Sequence, residues 1–171
     1  MLRAGGGDRR GPTGRRRDDQ ISALGPGELV AGYAVAVDAR DLGALRALFL
    51  PDATLSVRRG AAEPEVHRGH DGLVAVIEML GQFEATLHEV SGLVLRQGGD
   101  DEARGECACV AHHITRGEGR DATDLILRGR YSDRFARDAV GAWRFAAREL
   151  RVLWTERRAV RLPWDAALRA T

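Results

Sequence analysis

The hydrophobic periodicity of this 171-residue chain predicts an α+β fold, with N-terminal helices packed on one face of a curved antiparallel sheet. Three observations carry that expectation. Apolar residues recur at helical spacing in three segments before Gly81. From Thr86 onward the period falls to two, the period of a strand with two unlike faces. Short Gly- and Asp-rich stretches, such as Gln97-Gly-Gly-Asp-Asp101 and Arg116-Gly-Glu-Gly-Arg120, then separate the strands as hairpin turns.

Composition sets the bounds. The length suits one domain with a real core, and 44% hydrophobic with 30% charged residues is ordinary for a globular chain. A net charge of +1 gives no electrostatic argument for nucleic acid or a membrane surface. No apolar run reaches membrane-spanning length, and no secretory h-region stands at the N-terminus. Cys107 and Cys109 lie two apart and make no disulfide framework, so a reduced, cytoplasmic protein is expected.

Residues 1–24 are Arg- and Gly-rich, too poor in apolar side chains to order themselves, and are expected to be disordered. The folded domain is expected over 25–156, with 157–171 as a tail that would cover the pocket. Gly25-Pro26-Gly27 opens a first helix, with Pro26 near its first turn, running to about Ala39. Asp41 is the N-cap of a second, ending at Phe49 before Pro51-Asp52. A short strand covers Ala53 to Arg58 and a loop follows to Pro64. His67 to His70 lies in a loop and reads as surface, or as the entry to a third helix, Gly69 to Leu80. Strands are predicted over 86–96, 102–115, 124–135 and 143–154.

One acid is out of place. Val30, Tyr33, Ala34, Val37 and Asp38 share one helical face, and a carboxylate on a core-facing stripe must find a partner. Strand parity supplies candidates. His88 shares a face with Thr86, Val90 and Val94; His113 shares one with Gly105, Cys107, Cys109 and Ala111, while His112 points the other way. Leu125, Leu127, Gly129 and Tyr131 share a face, and Arg148 is in register with Ala146, Leu150, Val152 and Trp154. The inward polar set is thus Asp38, Tyr33, His88, His113, Tyr131 and Arg148. An Asp beside a His fixes a tautomer and raises the basicity of the imidazole. No spacing matches a metal motif, so no metal is expected.

These pieces resemble a known family. Tyr33-x4-Asp38-x2-Asp41-Leu-x2-Leu-Arg-x-Leu-Phe-x-Pro-Asp52-Ala, then Gly69-x-Asp-Gly-Leu, Thr86-x-His88, His112-His113, Tyr131-x-Asp133 and Gly141-x-Trp143-Arg-Phe are similar to the SnoaL-like branch of the nuclear-transport-factor-2-like superfamily, near scytalone dehydratase and bile acid dehydratases. The resemblance covers about Gly27 to Glu156. It implies a cone-shaped α+β (cystatin-like) barrel, no cofactor, and homo-oligomers, dimer or trimer, built through the sheet. It places Asp38, His113 and His88 on the Asp–His dyad and second His of scytalone dehydratase. The two water-holding tyrosines of that enzyme fall on Val37 and Val57, which makes Val57 a pocket wall here. The Tyr of bile acid dehydratases matches Tyr33, whereas their last-strand Arg falls near Val152, with Arg148 and Arg151 nearby. The function expected is a cofactor-independent dehydratase, isomerase or cyclase acting on a hydrophobic polycyclic or polyketide-like molecule. The alternatives are an epoxide hydrolase or ether-ring cyclase of the same fold, or a non-catalytic binding protein.

Overall fold

The structure is a computed structural model that describes residues 24–163. The N-terminal tail up to Ala23 and the end of the C-terminal tail lie outside the described residues. Three helices, α1 (Pro26–Asp38), α2 (Leu42–Ala47) and α3 (Gly69–Leu80), pack against a six-stranded sheet. Its strands are β1 (Phe49–Arg59), β2 (Glu65–Arg68), β3 (Ala85–Gln97), β4 (Glu102–Arg116), β5 (Asp121–Arg137) and β6 (Trp143–Arg161), in the order β2-β1-β6-β5-β4-β3. This is the expected α+β fold. One pairing departs from the antiparallel expectation: β1 runs parallel to β6. The helical segment between β2 and β3 carries the chain from one edge of the sheet to the other.

The core lies between α1, α3 and the concave face of the sheet. Leu29, Val30, Tyr33 and Val37 supply the buried stripe of α1, as its period requires. Asp41 caps α2 by accepting a hydrogen bond from Ala44 N–H at 2.9 Å. The small residues of β4, Ala103, Cys107, Cys109 and Ala111, leave room above the sheet. Both cysteines are buried and unbridged.

The differences from expectation are local. β1 begins at Phe49, not Ala53, because Phe49 already pairs with Phe145; the register to β6 then slips between Phe49 and Thr54, the stretch that holds Pro51. The stretch read as loop contains β2, paired with β1 through Leu55 and His67. β6 does not end at Trp154: it pairs with β5 as far as Arg161 opposite Asp121, so residues 157–161 belong to the sheet rather than to a tail. Bulges also break the parity. Gly92, at φ 62°, sits in an irregularity between Ser91 and Val94, which turns Leu93 to the core and leaves Val94 exposed. A second slip, between Arg128 and Gly129 against β6, leaves Trp154 on the outer face, 56% exposed.

Candidate active site

Asp38 is the last residue of α1. A helix C-terminus is a poor place for an anion, since the macrodipole is negative there. The chain leaves the helix through Arg40, whose φ of 53° is the left-handed conformation usual after a helix end but strained for a side-chain-bearing residue. The Arg40 guanidinium donates to the carbonyls of Leu80, at 3.2 Å, and Phe83, at 2.7 Å, tying this corner to the end of α3.

Three donors offset the unfavourable position of Asp38. Oδ1 lies 2.7 Å from His88 Nδ1 and accepts from the Thr86 hydroxyl at 2.9 Å; Oδ2 accepts from the backbone N–H of His88 at 2.8 Å. That backbone N–H belongs to an edge strand and has no strand partner on its open side. Burial pushes the Asp38 carboxyl up, but the bonds from His88 and Thr86 outweigh it, and the net shift is downward. An ionised acceptor on Nδ1 makes Nδ1 the protonated ring nitrogen of His88, and Nε2 is left as the basic one.

His113, on β4, does not pair with Asp38. Its Nδ1–H donates to the Leu125 carbonyl at 3.2 Å, so its Nε2 is basic too. Its ring stands edge-on to that of His88 at 5.7 Å. Burial, then the proximity of His88, lowers the His113 pKa and so favours the neutral ring.

Both histidines line a cavity of about 510 Å³ of atom-free space, counting the part open to solvent. Tyr33, Tyr131 and Val57 line it too, with apolar walls from Leu55, Val76, Leu80 and Leu127. Tyr33 and Tyr131, the only tyrosines of the chain, stand edge to face with ring centroids 5.9 Å apart. Burial raises the pKa of both hydroxyls, so they act as donors rather than phenolates.

Arg148 is not on the cavity surface. It is 1% exposed, behind the tyrosines, its guanidinium 3.7 Å from the Tyr131 ring centroid and 4.2 Å from that of Tyr33. Asp133 stands 3.7 Å from it, and neither side chain has a hydrogen-bond partner. Burial pushes the Asp133 carboxyl up to about 6, against the pull of Arg148. The inward parity of Arg148 was legible, but nothing in the sequence showed that aromatic rings would separate it from the cavity. Two lining residues escaped sequence reasoning altogether. Arg59 and His67 stand on the β1–β2 hairpin, and a four-residue strand ending beside a helix leaves too short a pattern to separate from a loop.

The chemistry available is proton transfer: a basic imidazole nitrogen held by a carboxylate, a second basic imidazole, and phenol donors, in a mostly apolar enclosure. A curved six-stranded sheet closed by helices is the cystatin-like, nuclear-transport-factor-2-like α+β architecture. The chain belongs to the SnoaL-like family, whose sequence model matches residues 27–149. No curated protein matches it at a significant level. Solved structures agree on the fold. A scytalone-dehydratase-type protein from Novosphingobium aromaticivorans is 24% identical, with a TM-score of 0.64 and 91% of this chain and 94% of that one covered. A hexachlorocyclohexane dehydrochlorinase from Novosphingobium barchaimii is 19% identical, with a TM-score of 0.66 and coverage of 84% and 94%. A protein of unknown function with a cystatin-like fold from Nostoc punctiforme is 22% identical, with a TM-score of 0.56 and coverage of 74% and 86%.

Proposed function

We propose that the protein is a cofactor-independent acid–base enzyme of the lyase type, acting on a hydrophobic polycyclic or polyketide-like small molecule. The observation that carries the reading is the Asp38–His88 contact, 2.7 Å between Oδ1 and Nδ1, at the wall of a mostly apolar cavity. His88 Nε2 takes a proton from a carbon next to a carbonyl. Asp38 orients the ring and stabilises the imidazolium that forms. Tyr33 donates to the developing oxyanion, with Tyr131 supporting it. The His88 imidazolium then returns that proton from Nε2 to the departing hydroxyl, which leaves as water, while neutral His113 accepts a hydrogen bond from that hydroxyl through its bare Nε2. Elimination, isomerisation and ring closure all share that first step, and elimination of water is the outcome a neutral hydroxyl-bearing substrate would give. Opening an epoxide with two acids is less well served, since no carboxylate is among the lining residues and Asp38 is spent on His88.

Deuterium exchange tests the shared step without a known product. Cyclic ketones incubated in heavy water should gain deuterium at the α-carbon, read by mass spectrometry. His88→Ala should abolish the gain; an unchanged gain would overturn the assignment of His88. The outer face of the sheet exposes Leu87 and Trp154, which suits assembly of a homo-oligomer through the sheet. Trp154→Glu should then lower the mass measured by light scattering.

A further inference from the structure

We propose that Arg59, Glu65 and His67 form a second polar subsite, built to hold a neutral oxygen of the ligand, a hydroxyl or a carbonyl, at the wall of the cavity that β1 and β2 supply. The inference rests on reading the cavity as a small-molecule site, not on the reaction carried out there. β2 and β3 are the two edges of the sheet, yet His67 from one and His88 from the other line the same cavity, because the sheet curls. The ligand is therefore held between two polar poles with an apolar span between them.

Register places the residues. Leu55 pairs with His67 and Val57 with Glu65, and antiparallel partners share a face. Leu55 and Val57 line the cavity, so Glu65 and His67 stand on its side of the sheet, and Arg59 follows two residues after Val57. Glu65 organises the cluster. Its Oε2 accepts from Arg59 Nη1 at 3.2 Å, and its Oε1 lies 3.2 Å from His67 Nε2 without the alignment of a hydrogen bond. His67 Nε2 is buried and has no hydrogen-bond partner, although the side chain as a whole is only 12% exposed. A buried polar nitrogen short of a full hydrogen bond is unfavourable, and a turn of the imidazole ring toward a ligand oxygen would complete it. His67 is also held firmly: a Cβ on Gly72 of α3 would come within 2.7 Å of the His67 carbonyl carbon, so strand and helix are in close contact there.

The charge balance selects the ligand group. Arg59 retains unused N–H donors, but the Glu65 carboxylate beside it would repel an anion. A hydroxyl can accept from Arg59 and donate to His67; a carbonyl can accept from Arg59 and His67, with Glu65 behind them holding both side chains. The ligand class is thus an apolar ring skeleton with an oxygen at each end, one for Tyr33 and His88, the other for this cluster.

Calorimetric titration with two probes tests it: 2,6-dihydroxynaphthalene, with two oxygens, and 2-naphthol, with one. The wild-type protein should bind the diol about tenfold more tightly, the worth of one well-placed hydrogen bond. His67→Phe and the largely exposed Arg59→Met should each bring the diol-to-naphthol affinity ratio from about tenfold down to about one. Arg59→Met serves if His67→Phe fails to fold. Equal affinity for the two probes, binding of neither, or a preference surviving in the folded variants would overturn the subsite. The reaction is scored separately: a diol preference retained in a protein without deuterium exchange leaves the subsite standing and removes the acid–base reading.

Discussion

Among the described residues two Asp–His pairs form, and only one of them opens on the cavity. Asp38 and His88 meet at 2.7 Å; Asp124 and His112 meet at 2.6 Å. By distance alone they are equivalent. His112 and His113 are sequence neighbours, yet strand alternation sends one to the outer face and the other to the cavity. The inner carboxylate is saturated by Thr86 and by the His88 backbone, whereas Asp124 keeps one buried oxygen without a partner. Glu89 lies 3.8 Å from the free side of His112, and solvent reaches that ring, 27% exposed against 8% for His88. An acid–imidazole contact is therefore not a site by itself. What separates the two is enclosure: Nε2 of the inner ring is directed to an apolar volume, and that of the outer ring to water and another carboxylate.

Removing either member should split the pairs most sharply. Asp38→Asn and His88→Ala should each lower the exchange rate by about 10²- to 10⁴-fold, the usual worth of acid–base catalysis. His112→Ala and Asp124→Asn should leave it unchanged. If the outer variants lose as much, the contrast drawn from enclosure fails.

Asp133–Arg148 extends the contrast to a pair that is buried and poorly satisfied. Asp133→Ala strands a buried guanidinium and should cost about 3–5 kcal/mol in urea unfolding, while replacing both by Leu and Met should restore most of the loss. The pH dependence of stability separates this pair from Asp38–His88. Asp133 has its folded pKa raised to about 6 from 3.8, so between those values the folded protein holds a proton that the unfolded chain has released. Its contribution should make stability fall as pH rises from about 4 to about 6, by an amount on the order of 1–3 kcal/mol, and Asp133→Asn should remove that slope. Asp38 has the opposite sign. Its folded pKa is depressed, so its contribution is present above the ordinary carboxylate range and is lost as pH falls through the folded value. The smallest effect belongs to Thr86→Val, which should cost about 1 kcal/mol and raise the Asp38 pKa without abolishing exchange.

Much of this arrangement was legible in the chain. The helical stripe exposed Asp38 as misplaced, and alternation aimed His88, His113 and Tyr131 inward. Periodicity fails where the backbone departs from its period. The bulge at Gly92 reversed Val94, and the slip in β6 reversed Trp154, because one extra residue flips every later side chain. Pairing between elements was less legible still. Parity could offer Asp38 two histidines but could not choose between them; the choice depends on where α1 ends against the open edge of β3. The same limit hid His67, whose significance comes from the curl that brings the two sheet edges together.

The central claim is that Asp38 holds His88 with its proton on Nδ1 and a bare Nε2 toward the cavity. Nitrogen-15 NMR of the imidazole rings at neutral pH tests it most directly, since the two ring nitrogens report their protonation separately. The account predicts the Nδ1–H tautomer for His88 in the wild-type protein and a mixture of tautomers in Asp38→Asn. A His88 ring protonated on Nε2 in the wild-type protein, or one unaffected by Asp38→Asn, would contradict it.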